Sequence, residues 1–181
     1  RGDSRPPRLR CAPLETPIGG LWICVSDRGL YEIGRDAPSE SAVEPDAGAA
    51  IADVVDQLLP YFAGTRRSFD LPLDLAGVSA FDRSVWRAAR EIPYGATASY
   101  GELALLAGHP GAARAVGGSM ARCRLFPIVP CHRVIHADGS IGGWGGETWV
   151  KRWLLDLEAT SSSFPRRRRP RTPWRAPAGP G

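Results

Sequence analysis

Residues 99–122 read SYGELALLAGHPGAARAVGGSMAR, and this stretch decides the architecture of the second half of the chain. Ser99-Tyr100-Gly101-Glu102 fits a capping box, in which the first and fourth side chains satisfy each other's backbone N–H groups. Leu103, Leu106 and Ala107 then give a short helix one apolar stripe. Gly108-His109-Pro110-Gly111 is turn chemistry. A second helix is predicted from about Ala112 to Arg122. Two short helices across a tight Gly/Pro turn make a helix-turn-helix candidate, and a plain helical hairpin has the same pattern.

On the N-terminal side, Ser79-Ala80-Phe81-Asp82 is a second capping-box pattern, with Val85, Trp86 and Ala89 behind it and Pro93 closing the helix. On the C-terminal side, residues 125–136 (LFPIVPCHRVIH) are apolar but carry two prolines, so they cannot form one helix. Residues 137–146 form a loop with five glycines. Thr148 to Glu158 is a closing helix, apolar at Val150, Trp153, Leu154 and Leu157.

The first half reads differently. Residues 14–34 are expected to hold two strands, Leu21–Val25 and Leu30–Ile33, joined by the Ser26–Gly29 turn after a turn-rich lead at Thr16–Gly20. Residues 35–48 read as an acidic loop. Ile51, Val54, Val55, Leu58, Leu59 and Phe62 recur at helical spacing, with Gly64 just past the end. Residues 65–78 read as a short strand and linker. The fold class is therefore α+β. A small mixed domain (11–78) precedes a mostly α-helical domain (79–160), between tails at 1–10 and 161–181 whose Pro, Arg and Ser content predicts disorder.

Charge divides along the same boundary. Residues 11–80 hold four basic and eleven acidic side chains, residues 81–160 nine and seven, and residues 161–181 six arginines and no acid. A nucleic-acid partner would thus meet the second half or the tail, although an Arg-rich tail is also compatible with simple solvation. No apolar run approaches the ~20 residues of a membrane helix, and residues 1–10 show no apolar signal segment, so a cytoplasmic protein is expected. A chain of 181 residues needs no disulfide to fold, so Cys11, Cys24, Cys123 and Cys131 are expected as free thiols.

Cys131, His132 and His136, with Cys123 upstream, gather the reactive side chains. Their spacing supplies only half of a usual zinc pattern. A small buried cysteine beside a satisfied core histidine is the structural reading. A thiolate nucleophile assisted by imidazole is the third, favoured by the rigid Pro130 and the glycine loop beyond, where backbone can approach a flat ligand.

Residues 81–159 resemble the C-terminal domain of the O6-alkylguanine-DNA alkyltransferases, the methylated-DNA–protein-cysteine methyltransferases. The resemblance rests on Ile128-Val129-Pro130-Cys131-His132-Arg133-Val134-Ile135, with Ile92-Pro93-Tyr94-Gly95, Ser99-Tyr100, Ala112–Gly118, Asp138–Gly143 and Lys151–Glu158 in matching order and spacing. Residues 14–80 match more loosely, through Thr16-Pro17-Ile18-Gly19 and Tyr61-Phe62-Ala63-Gly64. The resemblance implies a ribonuclease H-like N-terminal domain and repair by direct, single-use transfer of an alkyl group from O6-alkylguanine, or O4-alkylthymine, to Cys131. A lesion-binding protein with weak transfer is the alternative, and a cysteine hydrolase is a further one.

The resemblance also implies roles. Cys131, His132 and Glu158 form a water-bridged proton relay, and Tyr100 helps rotate the nucleotide and protonates guanine N3. Arg114 enters the base stack from a thin recognition helix in the minor groove, with Ala115 and His109 in the same DNA-binding set. Met120, Pro130, Val134, Trp144, Gly145 and Gly146 belong to the base pocket. Duplex DNA carrying the lesion is the partner of a monomer with no cofactor and no obligate protein partner. No zinc is expected, because residues 1–80 contain two cysteines and no histidine. Three positions depart from the family pattern: Cys123 stands where asparagine is usual, Trp144 where tyrosine is common, and Gly145 where serine is frequent.

Overall fold

The computed structural model describes residues 7–39 and 48–161. The chain divides after Gly77 into two compact units. Most of both predicted tails, residues 1–6 and 162–181, lies outside the described residues, as does most of the predicted acidic loop, 40–47.

The first unit is an antiparallel meander of β1 (Arg10–Thr16), β2 (Gly19–Ser26) and β3 (Gly29–Gly34), with α1 (Gly48–Phe62) packed on β1 and β2. Three strands stand where two were expected. Arg10, assigned to the tail, and residues 11–15 belong to β1, while the expected lead is split between the end of β1 (Thr16) and the start of β2 (Gly19, Gly20); Arg10 pairs with Val25 and Thr16 with Gly19. Ile18, Leu21, Ile23, Leu30, Leu58 and Tyr61 are buried in its core. Residues 65–78 form no named strand. Leu73 makes a single parallel bridge to Leu30, and Gln57 clamps the backbone of Asp70 with both ends of its amide, at 2.8 and 2.9 Å. At Gly29 (φ +134°) a Cβ would lie 2.3 Å from the Pro72 carbonyl oxygen, so only glycine admits this returning chain.

The missed strand carries a correction. Cys11 and Cys24 face each other across the β1–β2 register, Cα atoms 4.2 Å apart, and are disulfide-bonded rather than free. Directly opposed cysteines on one sheet face bring their sulfurs together, a proximity hidden by a sequence separation of 13.

The second unit begins with α2 (Ala80–Arg90), capped by Ser79, whose hydroxyl accepts from Asp82 N–H at 3.0 Å. Only that half of the predicted capping box forms. The Asp82 carboxylate instead takes the Arg122 guanidinium at 2.8 and 3.3 Å, tying α2 to the end of α4. β4 (Ala98–Ser99) leads into α3 (Tyr100–Leu106), where both halves of the Ser99/Glu102 box are made, at 2.8 and 3.1 Å. After the turn comes α4 (Ala113–Ala121), packed on α3 and α2. The buried Trp86 of α2 donates its indole N–H to Ser119 O at 3.3 Å. The three helices thus form a helix-turn-helix with its supporting helix rather than an isolated hairpin.

Residues 125–130 are buried without forming a helix, as the two prolines require. A 3₁₀ turn at Cys131–Arg133 follows, then β5 (Val134–Ile135), which pairs in parallel with β4. The closing helix α5 (Thr148–Ser161) runs past the predicted end. Its buried face is Val150, Lys151, Leu154, Leu155 and Glu158, so two charged residues stand where Trp153 and Leu157 were expected.

Candidate active site

Cys131 is held by local geometry. Pro130 precedes it as the N-cap of the 3₁₀ turn, and the Cys131 N–H donates to Val129 O at 2.8 Å. The side chain is 2% exposed and faces a cavity of about 230 Å³, lined also by Tyr100, Met120, Cys123, Phe126, Trp144 and Lys151. Gly117 of α4 and Gly143 and Gly145 of the loop also line it. The thiol lies below its ordinary pKa. The neighbouring Cys123 thiol favours the thiolate most, the Trp144 side chain and the Lys151 ammonium add to it, and together they outweigh burial. Cys123 itself is pushed well up, by burial first and then by its contact with Cys131.

Behind the thiol is a fully enclosed ionic cluster. His132 Nε2 and Glu158 Oε1 are 2.7 Å apart, with side chains 0% and 1% exposed. Arg133 donates to both Glu158 oxygens, at 2.9 Å from Nε to Oε2 and 2.9 Å from its terminal nitrogen to Oε1, and to Ile92 O at 2.7 Å. Gly95 N–H adds a bond to Oε2 at 3.1 Å. Burial alone would raise the Glu158 carboxyl, but His132 and Arg133 overcome it and hold the group well below the usual carboxylate range. Burial also pulls the His132 imidazole down, against the opposing pull of Glu158. Burial thus opposes the charged imidazole, and the Glu158 carboxylate favours it.

Tyr100 opens α3 at the cavity wall. Its ring lies 5.2 Å from the His136 ring and 5.8 Å from Lys151 Nζ. Burial raises its phenol, and the Cys131 charge adds to the rise, so it stays protonated and able to donate. His136 is in turn wedged by Gly142, where φ is +75° and a Cβ would meet His136 Nε2 at 2.6 Å. Gly142→Ala is expected to cost about 1–2 kcal/mol of stability and to displace His136 from Tyr100. Urea unfolding checks the first effect, and the near-ultraviolet tyrosine signal checks the second.

The cavity brings together Tyr100, Met120, Cys131, Trp144 and Gly145 from the expected set. Pro130 and Val134 are buried behind it and Gly146 is exposed in the loop. Arg114 and Ala115 are exposed near the start of α4. His109 is engaged locally: its Nε2 is 2.9 Å from the Ser84 hydroxyl and its ring packs 4.8 Å from Phe81.

Sequence reasoning missed Arg133 and Lys151 as parts of the site. Arg133 directly follows His132 in the motif that singled out Cys131. Lys151 and Glu158 share one helical stripe with Leu155, and two charges seven residues apart on an apolar face were the available signal. Phe126, 5.1 Å edge-on from Trp144, was hidden in the proline-broken segment. Among the described residues no group of three or more His, Cys, Asp or Glu side chains is placed to hold a metal ion.

The second unit is thus a helix-turn-helix beside a cavity that holds a buried cysteine of lowered pKa. Residues 80–160 match the 6-O-methylguanine DNA methyltransferase DNA-binding domain, and residues 9–75 match the ribonuclease-like domain of the same proteins. The chain belongs to the 6-O-methylguanine DNA methyltransferase family. It is 51% identical over 149 residues to a methylated-DNA–protein-cysteine methyltransferase of Mycobacterium bovis, covering 80% of this chain and 89% of that one. It is 43% identical over 147 residues to a DNA base-flipping protein of Thermus thermophilus, covering 80% and 97%. Among solved structures, Mycobacterium tuberculosis OGT in complex with DNA superposes with a TM-score of 0.75 at 44% identity, covering 83% of this chain and 92% of that one.

Proposed function

We propose that this chain repairs DNA by moving an alkyl group from guanine O6 in a duplex onto Cys131. The carrying observation is the Cys131 thiol, lowered in pKa at the wall of an open cavity and backed by the His132–Glu158–Arg133 cluster. His132 takes up the thiol proton, and Glu158 stabilises the resulting imidazolium. The thiolate attacks the alkyl carbon: the S–C bond forms, the C–O6 bond breaks and its electron pair goes to the guanine. The Tyr100 hydroxyl supplies the proton that neutralises the base at N3 and is reprotonated through solvent, while the His132 imidazolium releases the thiol's proton, so the net change is one proton moved from the thiol to the guanine. A soft thiolate suits displacement at saturated carbon, and the thioether product has no good leaving group, so each molecule acts once. O4-alkylthymine presents a similar alkyl–oxygen bond and is a second candidate substrate. The chain acts as a monomer, without cofactor or obligate protein partner, where the chromosome lies in the cytoplasm.

A base inside a duplex must leave the stack to reach this cavity. Arg114 lies at the start of α4, whose Ala113, Ala115, Gly117 and Gly118 keep that helix thin. In this reading α4 sits in the minor groove and Arg114 fills the gap left by the flipped base. Arg114→Ala is expected to slow transfer from duplex about tenfold, the cost of an unfilled stack, while leaving reaction with O6-alkylguanine free base unchanged. Single-turnover transfer on both substrates checks this.

The test of the function is intact mass and peptide mapping after incubation with duplex carrying O6-methylguanine. A gain of about 14 Da on the Cys131 peptide is the expected result. A bound duplex with no mass gain overturns transfer and favours the lesion-binding reading. That reading draws on the name of the Thermus relative and on Cys123, a thiol where the pattern has an amide.

A further inference from the structure

We propose that Cys123 and Cys131 form a redox-modification site: hydrogen peroxide oxidises Cys131, and Cys123 resolves the product as a reversible intramolecular disulfide. The consequence for repair rests on the function proposed above; the disulfide itself does not. Among the described residues these two cysteines are the free ones, and both line the same cavity. Each thiol is near enough to the other to shift its pKa. Cys123 is half-buried just beyond the last residues of α4, its N–H donating to Met120 O at 3.2 Å. Cys131 stands on the 3₁₀ turn. The buried segment between them is pinned by the Val129 N–H to Leu125 O bond at 2.9 Å, so the loop a disulfide would close already exists. Closing the pair to a bond of about 2.05 Å asks for side-chain rotation and a shift at the helix end.

The pair is also asymmetric. Cys131 has the thiolate character that peroxide attack requires, and Cys123 keeps its proton until a partner is formed. In the first step the Cys131 thiolate attacks one peroxide oxygen. The O–O bond breaks, hydroxide leaves and takes a proton, and Cys131 becomes a sulfenic acid. In the second step the Cys123 sulfur attacks the Cys131 sulfur. The S–O bond breaks, and hydroxide leaves with the Cys123 proton as water. Two thiols lose two electrons and two protons, and one peroxide becomes two waters. The alkyl acceptor is masked while oxidised, is spared further oxidation, and is returned by a thiol reductant.

The test treats the full chain with stoichiometric hydrogen peroxide, traps remaining thiols with N-ethylmaleimide, and maps tryptic peptides. Cleavage after Arg122, Arg124 and Arg133 puts the two cysteines on separate peptides, so a linked pair is diagnostic and distinct from Cys11–Cys24. The expected result is a linked Cys123–Cys131 pair about 2 Da lighter than the two reduced peptides, and loss of methyl acceptance that dithiothreitol reverses almost fully. In Cys123→Ser and Cys123→Asn, Cys131 is expected to advance to sulfinic acid, about 32 Da heavier, with acceptance not recovered relative to each variant's own untreated level. Wild-type Cys131 found as sulfinic acid, with Cys123 still reacting with maleimide, would overturn the proposal. So would equal recovery in wild type and variants. If untreated protein accepts no methyl group, the function fails, and the peptide map still decides the disulfide.

Discussion

Glu158→Gln is expected to cost about 3–5 kcal/mol of stability, because it leaves a buried guanidinium without its anion. It is also expected to slow alkyl transfer at least about a hundredfold, the usual scale for a general base deprived of its partner. In wild type the Glu158 carboxylate accepts from Arg133, His132 and Gly95 N–H inside a fully enclosed space. An amide keeps the shape, loses the charge and turns one acceptor into a donor facing donors. The stability loss appears in urea unfolding at neutral pH, and the transfer rate is read at low temperature, where the variant stays folded. The pH dependence tells the electrostatic cause from a packing defect. The folded carboxyl lies below its unfolded value, so the unfolded chain binds the extra proton first as pH falls. The stability Glu158 contributes is therefore complete above about pH 4.5 and is lost progressively below it. Glu158→Gln has no such term, so the gap between the two proteins should narrow on acidification. A constant gap would assign the loss to packing. Replacing Glu158 and Arg133 together by apolar residues should recover much of the stability but none of the transfer.

This cluster also marks where the sequence stopped being legible. Cys131 and His132 are adjacent, and the stiff proline and glycine context around them made a nucleophile readable locally. Glu158 lies 26 residues beyond His132. No local pattern joins the two; the family resemblance supplied that link. Arg133 and Lys151 went unread because a buried charge makes sense only once its partner is in place: Glu158 for one, the Val134 carbonyl for the other. The same holds for the fold. The Ser99/Glu102 capping box formed whole because every group it needs is local. The Ser79 box formed by half because Arg122, forty residues away, outcompetes the backbone for Asp82. β1 went unread because its sequence, RCAPLET, carries a proline and polar side chains and no apolar run, and so becomes a strand only once β2 lies beside it; the Cys11–Cys24 bond went unread with it.

Lys151→Met is the second large effect, and it should show as a change in the shape of the pH–stability curve. Lys151 is 1% exposed and donates to Val134 O at 2.6 Å. Burial lowers its ammonium pKa to about 8, against the opposing pull of the Cys131 thiolate. The unfolded lysine keeps its ordinary value near 10.4, so between about pH 8 and 10.4 the unfolded chain holds more protons than the folded one. Stability in wild type then rises with pH across that window, by up to about 3 kcal/mol. Below pH 8 the charge is buried at full cost. Lys151→Met has no such rise, and it also loses the bond to Val134 O, so the informative quantity is the difference between the two curves. That difference should shift in favour of wild type by about 2–3 kcal/mol on going from pH 8 to pH 10.4. Urea midpoints at five pH values measure it, and parallel curves would sink the assignment of a buried ammonium. The functional side follows from the same charge. Below pH 8 the ammonium favours the Cys131 thiolate, so the variant should transfer more slowly than wild type at pH 7. Above pH 8 the wild-type lysine gives up its proton and that advantage fades, so the two rates should converge. A lysine kept only for packing would leave the rate ratio flat with pH, whereas one kept for the thiolate would show this convergence. The cost of burying it would then be the stability wild type regains above pH 8.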